Sequence, residues 1–228
     1  MATWAIILLA AWGALVLLSR HVHRIDPRGD LITGLALLAL RLHARLLMRT
    51  RVHGAEHIPQ GKAPGPLIVV CNHTGGVDPL LVQSACDFEI RWMMGQDMML
   101  PELEPIWSWT RVIGVNRTGR DIASTREALR HLKANQVLGI FPEGRIERPP
   151  NHLLPFEPGA GFLIARSGAP VLPVWIRGTP YAEQAWGSLY RPGRVHLVFG
   201  PLMHFAKDSK PEEVVAKLED WFRQTSGW

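Results

Sequence analysis

Residues 67–79 read LIVVCNHTGGVDP, and this run sets the architecture. Its first five residues are continuously apolar and rich in β-branched side chains, the pattern of a strand buried on both faces. Asn72-His73-Thr74-Gly75-Gly76-Val77-Asp78-Pro79 comes directly after it. The Gly-Gly pair predicts a tight turn, and Asp before Pro predicts a helix start. Similar apolar runs recur at 90–94, 112–115, 137–141, 171–176 and 195–199. Helix-like stretches lie at 79–85, 122–134, 160–167 and 212–224, and PQGKAPGP at 59–66 marks a loop into the first of these strands. Strands alternating with helices predict an α/β fold, a mostly parallel or mixed central sheet flanked by helices. Sites in such sheets gather at strand C-terminal ends. His73 lies at one such end, and Phe141-Pro142-Glu143-Gly144-Arg145 at another.

Upstream of this unit, residues 2–18 are uncharged and almost wholly apolar. That length sits at the lower edge of a bilayer span. A cleaved signal peptide normally carries basic residues before its apolar run. Here they come after it, as Arg20, His21, His23, Arg24 and Arg28. The asymmetry predicts an uncleaved anchor with its C-terminal side in the cytoplasm. Residues 31–48 are leucine-rich but interrupted by Arg41, His43 and Arg45. Charges inside a span are expensive. With apolar residues at 35, 38, 42 and 46, this stretch reads as an amphipathic helix lying on a membrane, or as a surface helix packed on the catalytic domain. The expected organisation is an N-terminal membrane-associated two-helix segment over 1–50 and one α/β domain over 51–228.

The chain has 228 residues, enough for a full core, and a formal net charge of +5. Its sequence pI is about 9.7. Such a balance suits an acidic partner such as anionic lipid or a phosphorylated substrate. The basic residues are scattered and form no nucleic-acid-binding pattern, so nucleic acid is not expected as a partner. Cys71 and Cys86 are the only cysteines, which excludes a disulfide framework and a cysteine zinc site. Nine Trp is high for this length and accompanies either membrane-surface contact or a buried core.

His73 and Asp78 stand five residues apart across the Gly-Gly turn. An imidazole titrates in the range a general base needs, and a carboxylate on its other nitrogen fixes its tautomer. The spacing alone is common. Ten His and eight Asp give about 0.35 such pairs by chance, and His21 and Asp26 repeat the separation in the basic stretch after the apolar run. The strand before the 73–78 pair and the glycines within it are what distinguish it. Other readings of these residues are Asp78 as a helix cap and His73 as a hydrogen-bonded turn histidine. No G-x-S-x-G nucleophile elbow is present.

With these blocks in hand, the chain resembles the glycerolipid acyltransferase family, the 1-acylglycerol-3-phosphate acyltransferases and their relatives. The likeness spans roughly residues 52–202 and is carried by ordered blocks. Asn72 to Pro79 matches the N-H-x4-D block. Ile113-Gly114-Val115-Asn116-Arg117, Phe141-Pro142-Glu143-Gly144-Arg145 and Val171-Leu172-Pro173-Val174 match the next three in order. Pro155-Phe156-Glu157-Pro158-Gly159-Ala160 is similar to a further family segment. Two departures stand out. Many members read F-P-E-G-T-R-S, whereas here Arg145 directly follows Gly144 and Ile146-Glu147 replaces the polar pair. Glu157 stands where Lys is common.

The resemblance implies a membrane-associated O-acyltransferase. It would move a fatty acyl chain from acyl-CoA or acyl-carrier protein to the hydroxyl of a lysophospholipid or glycerol phosphate, with 1-acylglycerol-3-phosphate as the first expectation. Another lysolipid acceptor, such as lysophosphatidylethanolamine or a lyso-aminolipid, is the alternative. A non-catalytic lipid-binding protein and a thioesterase are further ones. By the resemblance His73 is the general base and Asp78 its orienting acid. Arg117 holds the acceptor's phosphate. Glu143, Gly144 and Arg145 line the acceptor site, and Pro173 shapes the pocket wall. No metal or organic cofactor is implied. The expected partners are the phospholipid bilayer, the lysophospholipid acceptor and the acyl donor.

Overall fold

The computed structural model describes residues 2–119 and 121–227; Met1, Arg120 and Trp228, which the two expected segments include, lie outside them. Two helices come first, α1 (Ala2–Ile25) and α2 (Leu31–Leu46). The middle of the chain holds β1 (Arg51–His53), β2 (Leu67–Cys71), α3 (Asp78–Ser84), β3 (Ile90–Gly95), α4 (Glu104–Thr110), β4 (Ile113–Val115) and α5 (Ile122–Lys133). The chain ends with β5 (Val137–Ile140), α6 (Pro158–Ser167), β6 (Val171–Arg177), β7 (His196–Phe199) and α7 (Pro211–Ser226).

The strands form one seven-stranded sheet in the order β1-β7-β6-β2-β5-β3-β4. All neighbours pair in parallel except β6 and β7, so the sheet is mixed. β2 and β5 are central and buried at every residue, which is why their sequences are unbroken apolar runs. Alternate side chains of β2 feed two cores. Leu67, Val69 and Cys71 pack toward Leu81 and Val82 of α3 and Ala44 and Met48 at the end of α2. Ile68 and Val70 pack toward α5, α6 and α7, where Leu132, Ile164, Leu218 and Phe222 fill the space.

Among the described residues only α1 is long and apolar enough to cross a membrane. It runs past the expected end at residue 18, so Arg20, His21, His23 and Arg24 ride its last turns instead of a loop. Of the expected two-helix segment, one helix is therefore of the membrane-crossing type. α2 is broken up by Arg41, His43 and Arg45, and it seats one face on the domain. Leu37 and Ala44 are buried there, and Arg41 donates to the carbonyls of Ser84 and Cys86 and to Asp87. Its other face stays apolar and exposed at Ile32, Leu35, Leu42 and Leu46.

The α1–α2 corner is tied to the sheet. Arg28 pairs with Glu89, donates to the Trp109 carbonyl at 2.8 Å and lies over the Trp109 ring. Asp30 caps α2 by accepting the Thr33 N–H at 2.8 Å. No hydrogen bond joins His21 to Asp26; Asp26 accepts the Arg28 N–H instead.

Candidate active site

β2 ends at Cys71, and Asn72 anchors the turn that leads to α3. Its side-chain amide accepts the Ile176 N–H at 2.8 Å and donates to the Ile176 carbonyl at 2.9 Å. That clamps the start of the turn to the neighbouring strand β6. The glycines then let the turn pass close beneath residues 185–188. A Cβ on Gly76 would stand 2.5 Å from the Ala185 carbonyl oxygen, and one on Gly75 2.8 Å from a Thr179 methyl. No larger residue fits under that roof.

The turn folds Asp78 back toward His73, and the imidazole Nδ1 lies 3.1 Å from Asp78 Oδ2. The same oxygen accepts the N–H groups of Thr74 at 2.6 Å and Gly75 at 2.7 Å. Oδ1 accepts the hydroxyls of Thr179 at 2.9 Å and Thr74 at 3.1 Å. Asp78 is fully buried, and every donor around it favours a fixed acceptor. The helix-cap reading fails, since α3 takes Val77 as its N-cap residue and has no side-chain cap. With Nδ1 committed to Asp78, Nε2 is the nitrogen left to take a proton. The imidazole plane is held by a column of rings. His73 stacks on Phe141 at 4.0 Å between centroids, and Phe141 on Trp92 of β3 at 4.8 Å.

The Phe141–Arg145 run meets the His73 turn through its backbone. Glu143 Oε1 accepts the His73 N–H at 3.0 Å, and Oε2 accepts the Leu154 N–H at 3.3 Å. The Glu147 N–H donates to the His73 carbonyl at 2.8 Å. Burial pushes the Glu143 carboxyl up to about 8, against the two amide donors that pull it down. The Glu147 carboxyl is also buried and pushed up for the same reason, with the Asn151 and His152 N–H groups opposing. Gly144 adopts φ +67°, a left-handed turn that glycine takes without strain. A Cβ there would approach Glu157 at 3.3 Å, and the Glu157 N–H donates to the Pro142 carbonyl at 2.7 Å. The 141–145 and 155–160 blocks are thus adjacent.

Arg117 lies further along the same edge of the sheet, beyond the end of β4. Its guanidinium packs onto Gly95, where a Cβ would come within 2.1 Å of it, and Nε faces Asp97 at 3.2 Å. Arg145 is exposed and without an ion pair among the described residues. Pro173 is not brought to this cluster. It sits inside β6 opposite Val70, and Val171 and Trp175, two residues to either side on the same strand face, lie in the core under α5–α7. Trp92, Thr179, Gly95 and the buried face of Glu147 are the parts that sequence reading missed. Gly95, a glycine ending an apolar run, and Glu147, a departure from the family motif, left visible signals.

Both thiols are buried and pushed up by that burial, so neither is poised as a nucleophile. No group of three or more His, Cys, Asp or Glu among the described residues is placed to hold a metal. The site therefore pairs an imidazole with a buried carboxylate, with arginines further along the edge. That set can deprotonate a hydroxyl and bind an anionic group.

A family model described as Acyltransferase matches residues 49–177. The chain is 31% identical over 201 residues to an N-acylphosphatidylethanolamine synthase of Arabidopsis thaliana, covering 78% of this chain and 67% of that protein. It is 24% identical over 188 residues to a 1-acyl-sn-glycerol-3-phosphate acyltransferase of Bacillus subtilis, covering 79% and 88%. The crystal structure of the 1-acyl-sn-glycerophosphate acyltransferase PlsC of Thermotoga maritima superposes with a TM-score of 0.68 over 93% of this chain and 94% of that one, at 21% identity, a likeness of fold. The matched stretch holds His73, Asp78, Arg117, Glu143 and Arg145 together, and the chain belongs to the acyltransferase family, in its glycerolipid, PlsC-like branch.

Proposed function

We propose that the protein transfers a fatty acyl chain from a thioester, acyl-CoA or acyl-carrier protein, to the hydroxyl of a lysophospholipid or glycerol phosphate. The observation that carries this is the His73–Asp78 pair, held at 3.1 Å at the C-terminal edge of β2 with Nε2 left over. His73 Nε2 takes the hydroxyl proton as the oxygen attacks the thioester carbonyl. Asp78 keeps the proton on Nδ1 and stabilises the imidazolium. The tetrahedral intermediate expels the thiolate, so a C–O bond replaces the C–S bond. The imidazolium then returns its proton to sulfur.

Glu143 acts through the His73 backbone N–H and sets where the imidazole stands. Arg117 and Arg145 bind the acceptor's phosphate, which displaces Asp97 from Arg117. Residues 51–228 form the catalytic domain, and residues 1–50 bring it to the bilayer that holds its acceptor. α1 enters the membrane with Ile6, Leu8, Leu9, Trp12 and Leu15 exposed. The apolar outer face of α2 lies along the interface. The basic residues on the last turns of α1 support a cytoplasmic position for the catalytic domain. The product is a phospholipid or its precursor, so the reaction belongs to phospholipid synthesis or remodelling.

The test is free-thiol release from palmitoyl-CoA by the purified chain in lipid nanodiscs, with and without 1-acylglycerol-3-phosphate and other lysophospholipids. Release that depends on an acceptor, with acylated product seen by mass spectrometry, supports transfer. Release at the same rate without acceptor would show a thioesterase, and no release would show a binding protein.

A further inference from the structure

Four basic side chains that are far apart in the sequence meet on three neighbouring strands. Arg177 ends β6, and antiparallel pairing places it opposite His196 at the start of β7. Parallel pairing places His196 opposite Arg51 at the start of β1. The three residues form a row across the sheet, at about 4.8 Å per strand. His53 lies two residues along β1, on the same face as Arg51. Its Nε2 is 3.1 Å from His196 Nδ1, and the two rings are parallel to within 7°. Partial burial first, then Arg177, His53 and Arg51, hold the His196 imidazole below its usual range, and no carboxylate opposes them. Arg51, His53 and Arg177 are exposed. Among the described residues no carboxylate pairs with either arginine.

Like charges directly opposite on paired strands are destabilising, and an anion lying across them recovers the cost. The face of the sheet tells which anion. Trp175 and Val198 share the strand face of Arg177 and His196, two residues away, and both lie in or against the core under α5–α7. α2 packs on the opposite face through Ala44 and Met48. The row thus turns away from the helix that lies along the membrane, which suits a water-soluble polyanion rather than lipid head groups. It also lies on the other side of His73 from Arg117, since β6 neighbours β2 directly while β4 is beyond β5 and β3. Asn72 bonds both backbone groups of Ile176, so Arg177 follows directly on the contact that clamps the His73 turn. Arg51, three strands from β2, stands about 15 Å away across the sheet.

We propose that this row binds the phosphates of the nucleotide that carries the acyl thioester, a donor of the coenzyme A type, with Arg51 and Arg177 as its main contacts. The proposal rests on the acyl-transfer reading of His73. Donor phosphates and acceptor phosphate then occupy separate sites on the two sides of the imidazole, the acceptor's on Arg117 and Arg145. The pantetheine arm between the donor's phosphate and its sulfur has the length of about four extended residues, roughly 14 Å. That matches the span from the row to His73, so the arm lies along the sheet edge and delivers the thioester carbonyl to the hydroxyl at Nε2. Guanidinium groups suit this work, because each can hold two phosphate oxygens at once.

The test uses the full chain in nanodiscs with the lysophospholipid that the wild type acylates best. The donors are palmitoyl-CoA, palmitoyl-pantetheine, which lacks the phosphates, and palmitoyl-acyl-carrier protein. The wild type prefers palmitoyl-CoA over palmitoyl-pantetheine by about a hundredfold in kcat/KM. Arg51→Gln and Arg177→Gln each reduce that preference by about tenfold, the order one charge-assisted contact supplies. Arg51→Lys, which keeps the charge, retains part of it. The KM for the acceptor rises in Arg117→Ala and not in these variants. Calorimetry with adenosine 3′,5′-bisphosphate reads the same loss without turnover. Equal use of palmitoyl-CoA and palmitoyl-pantetheine by the wild type, or a preference that survives both glutamine substitutions, would overturn the proposal. So would a KM that rises for palmitoyl-acyl-carrier protein alone, which would make the row a carrier-protein surface. Loss of binding to anionic vesicles with the donor preference intact would give the row to lipid and overturn it as well. Nucleotide binding that depends on the row, in a chain without acyl transfer, would sink the acyltransferase reading and leave the nucleotide site standing.

Discussion

Glu143 Oε1 accepts the backbone N–H of His73 at 3.0 Å, so two motifs 70 residues apart meet at one hydrogen bond. The glutamate therefore holds His73 by its main chain while Asp78 holds its ring. This contact is made by a carboxyl that burial pushes from 4.5 to about 8. Between those values the folded state holds more protons on this group than the unfolded state does. Its contribution to stability is thus greatest below about 4.5, falls as pH rises toward about 8, and is level above. Denaturant unfolding in detergent at pH 5 and pH 8.5 should show that fall in the wild type. Glu143→Gln, which cannot ionise, should show a smaller one.

Asp78 separates charge from hydrogen bonding. In Asp78→Asn the amide oxygen can keep the His73, Thr74 and Gly75 donors, while the threonine hydroxyls turn to accept from the amide nitrogen. The variant should fold and lose about 10²-fold or more in kcat, because the imidazolium loses its counter-charge. Asp78→Ala strands five donors, the Gly75 N–H fully buried, and should cost about 3 kcal/mol in unfolding free energy. Paired melting and turnover measurements check both.

Gly95 predicts a substitution that acts at a distance from the base. A Cβ there meets the Arg117 guanidinium, the free end of a flexible side chain, so the fold can absorb it and the guanidinium must move. Gly95→Ala should leave the melting temperature nearly unchanged. It should raise KM for a phosphate-bearing acceptor by about tenfold, as Arg117→Ala does. A KM that rises in the arginine variant alone would separate Gly95 from the phosphate site.

Removing residues 2–18 deletes the exposed apolar part of α1 but keeps Val22 and Ile25, which are buried. The truncated chain should lose vesicle flotation and keep its fold by circular dichroism. In the full chain, bromine-labelled lipids should quench Trp4 and Trp12, both about two-thirds exposed or more.

The strands were legible because buried parallel strands are unbroken apolar runs, as Leu67–Cys71 and Val137–Ile140 show. β1 was not, because its three residues are all exposed and carry no periodicity. α4 was missed because seven residues with two tryptophans hold too little pattern to mark a helix. Similarly, α2 showed its apolar stripe but not which of its faces would meet α3, since only packing decides that. His73 and Asp78 stood out as candidates by their strand-turn context, and Glu143 by the order of the family's blocks. Thr179 reaches Asp78 from 101 residues away, and Trp92 joins the ring column from β3. Contacts of that range come from the tertiary fold and leave no local trace. Glu147 was visible only as a departure from a motif; its burial shows only in the fold.

The most direct test of His73 as the base is acyl transfer by His73→Ala, purified in nanodiscs and supplied with labelled palmitoyl-CoA and a lysophospholipid. With the melting temperature preserved, kcat/KM should fall by about 10³-fold, the order a general base supplies. Transfer at the wild-type rate by that folded variant would contradict the assignment of His73 as the base.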